Sequence, residues 1–356
     1  MQGDFVYTNT TTKRVFAGDV AIGGGASISI QSMLCAPAHD IEGNVAQAIA
    51  LQEAGCDIVR VSVPDVETIK TVYALKQNIT IPLVADIHFD WRLAVESVAA
   101  GVDKVRINPG NIGDESKVRE VARVCREKNI PIRIGVNSGS LEKEILARYG
   151  SVTPEAMVES GLYHISLLEK YDFNDIVLSL KSSNVKRMYD AYILAAEKCP
   201  YPLHLGVTEA GTENMGVIKS AAGIGGLLLR GIGDTLRISL TDEPVKEVYA
   251  AKKLLKALGI RNGGIKFVSC PTCGRTAIDL IGLAHKAEER FANIQKDITV
   301  AIMGCVVNGP GEASAADIGI AGGKDCGVIF KGGKIIYNKV PEDKLLDLLE
   351  QEINKM

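Results

Sequence analysis

From Ser27 to Leu240 the chain repeats one pattern, a short apolar run rich in β-branched residues followed by a longer stretch with apolar positions at helical spacing. The short runs are Ile28–Met33, Asp57–Val63, Pro82–Ile87, Asp103–Pro109, Pro131–Asn137, Asp175–Lys181, Leu203–Glu209 and Thr235–Leu240. Between them the spacing predicts helices such as Asn44–Ala54, Val66–Gln77, Trp91–Ala100, Glu115–Lys128, Val185–Lys198 and Asn214–Leu228, each closed near a Gly, Pro or Lys. Eight strand–helix units in about 240 residues are the size of a closed (β/α)8 barrel. An open doubly wound sheet is the alternative, but no G-x-G-x-x-G opens a helix after the first strand. Gly23, Gly24 and Gly25 precede that strand and are expected to shape a turn.

A last barrel helix, Pro244–Leu258, runs into Arg261-Asn262-Gly263-Gly264, a polar glycine stretch that reads as a boundary. The pattern then changes to strand Ile265–Ser269, helix Thr276–Phe291, strands Ile298–Met303 and Ile318–Ala321, a hairpin through Lys331-Gly332-Gly333-Lys334, and a terminal helix from Pro341. The fold class expected is therefore α/β, an N-terminal (β/α)8 TIM barrel (residues 1–260) followed by a small α+β domain (residues 261–356).

Composition narrows the function. A net charge of -3 and a pI near 6.0 argue against a nucleic-acid or membrane-surface binder held by bulk electrostatics. The first residues lack the apolar core of a signal peptide, and nothing later supplies the roughly 18 consecutive apolar residues of a membrane span. A cytoplasmic protein is expected, and its eight cysteines are then expected to be thiols rather than disulfides. Cys35, Cys56, Cys125 and Cys199 read as small buried hydrophobes.

The remaining cysteines carry the most specific signal. Cys270-Pro271-Thr272-Cys273 sits where a strand gives way to a helix, and Cys305, in Met-Gly-Cys-Val-Val-Asn-Gly-Pro-Gly-Glu, lies just past another strand. Three thiolates at one end of a domain suit zinc or an iron–sulfur cluster. Zinc wants a fourth Cys or His, and the nearby His285 falls in mid-helix. A [4Fe-4S] cluster with one distinct iron fits three cysteines plus an oxygen donor, for which Glu312 is placed on the same loop as Cys305; Cys326 competes for that position.

A second constellation lies at the strand ends of the barrel, where such folds build their sites. Polar residues recur at inward parity: Arg60 with Ser62, Asp86 with His88, Arg106 with Asn108, Arg133 with Asn137, and Arg237 with Ser239, while Lys181 and Glu209 close the sixth and seventh strands. So many buried cations require anions, and guanidinium forks bind phosphate oxygens bidentately. The ligand implied is a small, doubly phosphorylated molecule. The plain reading is charges on the rim or helix layer paired with acids; His164 and His204 read as core or surface histidines.

These motifs are familiar. Cys-Pro-Thr-Cys-Gly-Arg-Thr and Met-Gly-Cys-Val-Val-Asn-Gly-Pro-Gly-Glu, with Val-Arg-Val-Ser-Val-Pro, Ala-Asp-Ile-His-Phe, Val-Arg-Ile-Asn-Pro-Gly-Asn and Ile-Arg-Ile-Gly-Val-Asn-Ser-Gly-Ser, resemble the 4-hydroxy-3-methylbut-2-enyl diphosphate synthases of the methylerythritol phosphate isoprenoid pathway. The similarity spans nearly the whole chain and matches the two-domain bacterial form. It implies reductive ring opening of 2-C-methyl-D-erythritol 2,4-cyclodiphosphate, with electrons from reduced flavodoxin or ferredoxin, and a [4Fe-4S] cluster on Cys270, Cys273, Cys305 and Glu312. By the same resemblance Arg60, His88, Arg106, Arg133, Lys181, Arg237 and Ser239 would hold the diphosphate. Asp86, Asn108, Asn137 and Glu209 would contact the carbon skeleton, Glu209 as proton donor, and Asn308 would sit beside the cluster. Members are homodimers in which one subunit's cluster domain caps the other's barrel. Two rival readings remain: a non-redox phosphosugar lyase using Lys181 as a Schiff-base amine with structural zinc in the tail, and a non-enzymatic iron–sulfur sensor.

Overall fold

The computed structural model describes residues 11–108, 111–112, 114–139, 141–261, 263–292, 294–305, 313, 315–324 and 326–356. The chain divides into two compact units, Met1–Arg261 and Asn262–Met356.

The first unit opens with a feature the periodicity does not reveal, an antiparallel hairpin of β1 (Val15–Ala17) and β2 (Val20–Ile22). Eight parallel strands follow: β3 (Ser29–Met33), β4 (Ile58–Ser62), β5 (Leu83–Asp86), β6 (Lys104–Ile107), β7 (Ile132–Asn137), β8 (Ile176–Lys181), β9 (His204–Leu205) and β10 (Thr235–Leu236). They pair in sequence order from β3 to β8, and β10 lies between β3 and β9. The remaining seam, between β8 and β9, is joined by a parallel bridge between Leu178 and Leu203. A tyrosine reinforces it. The Tyr192 hydroxyl accepts a hydrogen bond from the Leu180 N–H at 3.0 Å and donates to the carbonyl of His204.

The helices are α1 (Ile41–Glu53), α2 (Ile69–Asn78), α3 (Trp91–Ala99), α4 (Glu115–Glu127), α5 (Lys143–Tyr149), α6 (Pro154–Glu169), α7 (Val185–Lys198), α8 (Glu213–Ser220), the short α9 (Gly226–Leu228) and α10 (Pro244–Ala257). Their starts follow local chemistry: Asp40, Asp90, Asp114, Thr153 and Asn184 each accept a backbone N–H of the first turn, and Pro154 occupies the first turn of α6. Two helices, α5 and α6, fill the stretch between β7 and β8, for which none was predicted.

Strand residues of one parity, among them Val59, Val61, Leu83, Ala85, Val105, Ile107, Ile132 and Ile134, pack under the helices in the main core. Residues of the other parity point into the barrel. At its floor Ile58, Val84 and Val177 join Val15, Ala17 and Ile22 of the hairpin in a separate apolar cluster, so β1 and β2 plug the N-terminal end.

The second unit is a five-stranded sheet, β11 (Lys266–Ser269), β12 (Thr299–Met303), β13 (Ile318–Gly323), β14 (Cys326–Lys331) and β15 (Lys334–Pro341), in that order, the first three parallel and the rest antiparallel. Its main core joins α11 (Leu280–Arg290) and α12 (Leu345–Lys355) to Val300, Ile302, Ile318, Ile320 and Ile329 of the sheet. A smaller cluster gathers Ala301, Met303, Ala321, Val328 and Phe330 against Cys270. Helix α11 begins four residues later than its periodicity suggests. Asp279 caps it by accepting from the Gly282 N–H, while the Thr276 hydroxyl accepts from the Cys273 N–H and so holds the cysteine turn instead of extending the helix.

Candidate active site of the barrel and cysteine edge of the second unit

Consecutive strands carry the charges into the interior in register. Asp86 pairs across the ladder with Arg106, and Arg106 with Arg133, so these three lie side by side on β5, β6 and β7. Asp86 is fully buried and serves two guanidiniums: Arg60 Nη2 donates to Oδ2 at 2.5 Å and Arg106 Nη1 to Oδ1 at 3.1 Å, with His88 Nε2 3.5 Å from Oδ2. Burial alone would raise its carboxyl, but Arg60 and Arg106, then His88, pull it well below the usual carboxylate range. Asp86 is therefore an ionised brace between two arginines, a partner set that its expected role toward a carbon skeleton did not include.

Arg106 also donates to the Gly135 carbonyl at 3.0 Å, and the absence of a side chain there makes this possible. A Cβ on residue 135 would lie 2.3 Å from Arg106 Nε. Arg133, wholly buried, donates to Ser179 Oγ at 3.0 Å and leaves Nε and Nη2 without an acceptor among the described residues. Lys181, buried on β8, lies over the bare backbone of Gly206, where a Cβ would come within 3.0 Å of its Nζ. Burial, and then the charges of Arg133, Arg60, Arg237 and Arg106, push the Lys181 ammonium well below the usual lysine range.

Arg237 is different. Its guanidinium forms a fork with Glu247 of α10 at 3.0 and 2.9 Å, and Glu247 also accepts from Ser32 Oγ at 2.7 Å and from the Leu240 N–H. Glu247 was not among the predicted residues, because on a helix outside the barrel its spacing resembles that of any surface acid. Lys104 was missed too, although it shares the parity of Arg106 and Asn108; it is fully buried. The interior thus assembles six basic side chains (Arg60, Lys104, Arg106, Arg133, Lys181 and Arg237), four of them guanidiniums, against two carboxylates, Asp86 and Glu247. Such an excess in a low-dielectric interior is a strong anion-binding potential.

The other predicted residues border this centre. Asn137 is the ladder partner of Lys181, and Asn108 is buried just past β6. Ser239 and Glu209 lie beyond the ends of β10 and β9, since those strands are only two residues long. Glu209 is exposed and holds a left-handed backbone at φ 52°, which a non-glycine residue adopts only where its surroundings impose it.

In the second unit, Cys270 directly follows β11 and Cys305 lies two residues past β12, at the same end of two paired parallel strands. Cys326 opens β14 opposite Gly323 at the end of β13, so it reaches that edge as well. Cys270 Sγ accepts the Gly304 N–H at 3.2 Å. Backbone and side-chain hydrogen bonds from Arg275 draw the exposed Cys273 thiol below its usual value. Amide and guanidinium donors aimed at sulfur favour thiolates, the form that binds soft metals. Among the described residues no three His, Cys, Asp or Glu side chains stand close enough together to hold a metal ion. Asn308 and Glu312 fall outside the described residues.

Three of the four cysteines read as apolar filler, Cys56, Cys125 and Cys199, are buried; Cys35 is not. It is exposed past the end of β3, with Gln47 Nε2 donating to its sulfur at 3.1 Å, because the chain has already left the barrel wall at that point. His204 is a fully buried barrel residue and His164 a buried partner of Glu142.

This arrangement has relatives. The GcpE TIM-barrel domain family matches residues 12–252, and the GcpE protein C-terminal domain family matches residues 266–355. The chain belongs to the GcpE family. A relative from Caldanaerobacter subterraneus, 56% identical with 97% of each chain covered, carries the name 4-hydroxy-3-methylbut-2-en-1-yl diphosphate synthase (flavodoxin). One from Clostridium perfringens, 56% identical over 95% of this chain and 97% of its own, has the same name, as does one from Geobacillus kaustophilus, 51% identical over 99% and 94%. Among solved structures, a type I 3-dehydroquinate dehydratase from Clostridium difficile matches 70% of this chain and 98% of its own at a TM-score of 0.53 and 15% identity, a likeness of barrel fold alone. No helix among the described residues is long and apolar enough to cross a membrane.

Proposed function

We propose that this chain, like the synthases it resembles across nearly its whole length, opens 2-C-methyl-D-erythritol 2,4-cyclodiphosphate reductively to (E)-4-hydroxy-3-methylbut-2-enyl diphosphate. The observation that carries the reading is the barrel interior, in which six basic side chains, four of them guanidiniums, face two carboxylates. Two electrons and two protons convert the cyclic substrate to the linear diphosphate and water. The ring carbon–oxygen bond to phosphate breaks, the ring hydroxyl leaves as water, and a carbon–carbon double bond forms.

Arg60, Arg106 and Arg133 present donors into the interior from β4, β6 and β7, and Lys181 of β8 adds its amino group beside them. This cradle binds the diphosphate and stabilises the charge that develops on the departing phosphate oxygen, at little reorganisation cost because Asp86, Gly135 and Ser179 already fix the guanidiniums. Arg237 is held for the same purpose by Glu247. His88, Asn108, Asn137 and Ser239 line the approach to the substrate, and Glu209, at the rim, delivers a proton to the leaving hydroxyl. Cys270, Cys273, Cys305 and Glu312 would hold a [4Fe-4S] cluster, with Asn308 beside it. When bound, such a cluster supplies the two electrons one at a time, refilled by reduced flavodoxin or ferredoxin. The reading extends to a cytoplasmic homodimer.

The lyase alternative would need Lys181 as a nucleophilic amine, and its depressed ammonium is compatible with that. The cysteine edge has no part in such a reaction. The test is anaerobic purification with iron, sulfide and zinc analysis, then reduction in the presence of the cyclic diphosphate. About four irons and four sulfides per chain with reductive consumption of substrate support the reading; stoichiometric zinc in a colourless protein overturns it.

A further inference from the structure

Beneath the cradle the barrel carries a second polar layer. Lys104 stands two residues before Arg106 on β6, so its side chain enters the interior one step nearer the floor. It is wholly buried, and its Nζ meets no acceptor among the described residues. The same is true of Ser29 Oγ and both amide atoms of Gln31 on β3, of Arg133 Nε and Nη2, and of both ring nitrogens of His204 on β9. Ser29 and His204 flank Thr235 in register, and all three lie buried at one level of the wall.

The charges that Lys104 feels are those of Arg133 from β7 and Arg60 from β4, and His204 in turn feels Arg133, Lys181, Lys104 and Arg60. On β5, Asp86 is committed to Arg60 and Arg106, and Glu247 to Arg237. Among the described residues no carboxylate pairs with Lys104. Each buried polar atom without a partner costs about 1–3 kcal/mol, so a layer holding so many is stable when ordered water fills it. Burial, and then Arg133 and Arg60, bring the Lys104 ammonium down to about 7 and keep His204 neutral.

We propose that Lys104 is a positioning residue for the anionic substrate, held in this hydrated layer beneath Arg133 and taking up a proton from solvent when negative charge arrives above it. An N–H bond forms at Nζ and no electrons change hands. The barrel thereby gains a cation when the diphosphate enters and sheds part of its self-repulsion when the diphosphate leaves. Gln31, Ser29 and His204 serve as the polar walls through which water reaches Lys104. The inference rests on the cyclic diphosphate being the ligand of the barrel.

Calorimetric titration of the full-length protein with the cyclic diphosphate at pH 7.5, in two buffers of different ionisation enthalpy, counts the protons taken up. The phosphates of the cyclic substrate are esterified and do not titrate in this range, so uptake reports the protein. The wild type is expected to take up roughly half a proton per substrate bound. Lys104→Met should take up almost none and bind about tenfold more weakly, a shift in KM with kcat within about twofold. Lys104→Arg, which keeps the charge permanently, should bind close to wild type without uptake, and it carries the test should the Met variant not fold. Uptake in either variant equal to wild type overturns the role of Lys104. A wild type that fails to bind the cyclic diphosphate at all overturns the substrate reading instead.

Discussion

Replacing Asp86 with asparagine removes the one carboxylate that braces two guanidiniums while keeping the shape of the side chain. The wild-type group is 0% exposed and lies 2.5 Å from Arg60 and 3.1 Å from Arg106. Removing one partner of a buried ion pair costs about 3–5 kcal/mol, because the opposite charge stays behind unpaired. The amide oxygen of asparagine still accepts from one arginine, so about 3 kcal/mol is expected. For a barrel of this size that is a fall in Tm of roughly 6–12 °C. The sign with pH follows from the carboxyl being held well below its unfolded value, near 3.9. Its contribution is complete above about pH 4 and fades only as pH falls from there toward the native value. The gap between wild type and Asp86→Asn, read by urea denaturation, is therefore flat from pH 5 to 8. Inorganic diphosphate should narrow it by supplying the missing negative charge to the native state alone. A gap below about 1 kcal/mol at pH 7, or one that grows steadily between pH 5 and 8, would refute the assignment of Asp86 as an ionised brace.

Three further outcomes follow from the packing. Gly135→Ala places a methyl 2.3 Å from Arg106 Nε and should displace that guanidinium, weakening cyclic diphosphate binding about tenfold in a titration while the far-ultraviolet circular dichroism stays unchanged. Tyr192→Phe strips the seam between β8 and β9 of a donor and an acceptor, leaving the Leu180 N–H and the His204 carbonyl short of a partner, and should lower stability by about 1–3 kcal/mol on denaturant unfolding. Ile22→Ala opens a cavity in the floor cluster and should cost about 2–4 kcal/mol by the same assay.

The alternation of apolar runs and helical stretches was enough to give the barrel and its eight strands, because in a parallel sheet both faces are buried and the runs are nearly continuous. Parity along each strand placed Arg60, Asp86, Arg106, Arg133 and Lys181 in the interior, and the cysteine motifs marked the edge where β11 and β12 end. A resemblance in those motifs named the family. What sequence could not decide were pairings between distant elements. That Asp86 joins two arginines, that Glu247 reaches inward from α10 to hold Arg237, and that Tyr192 seals the wall each depend on contacts made only when the ring closes. The same holds for β1 and β2, too short to show a period of their own and stable only against the floor of the barrel. Lys104 had the right parity, but its burial beside cations alone is a property of depth in the barrel, and depth is set by register between strands rather than by position along one of them.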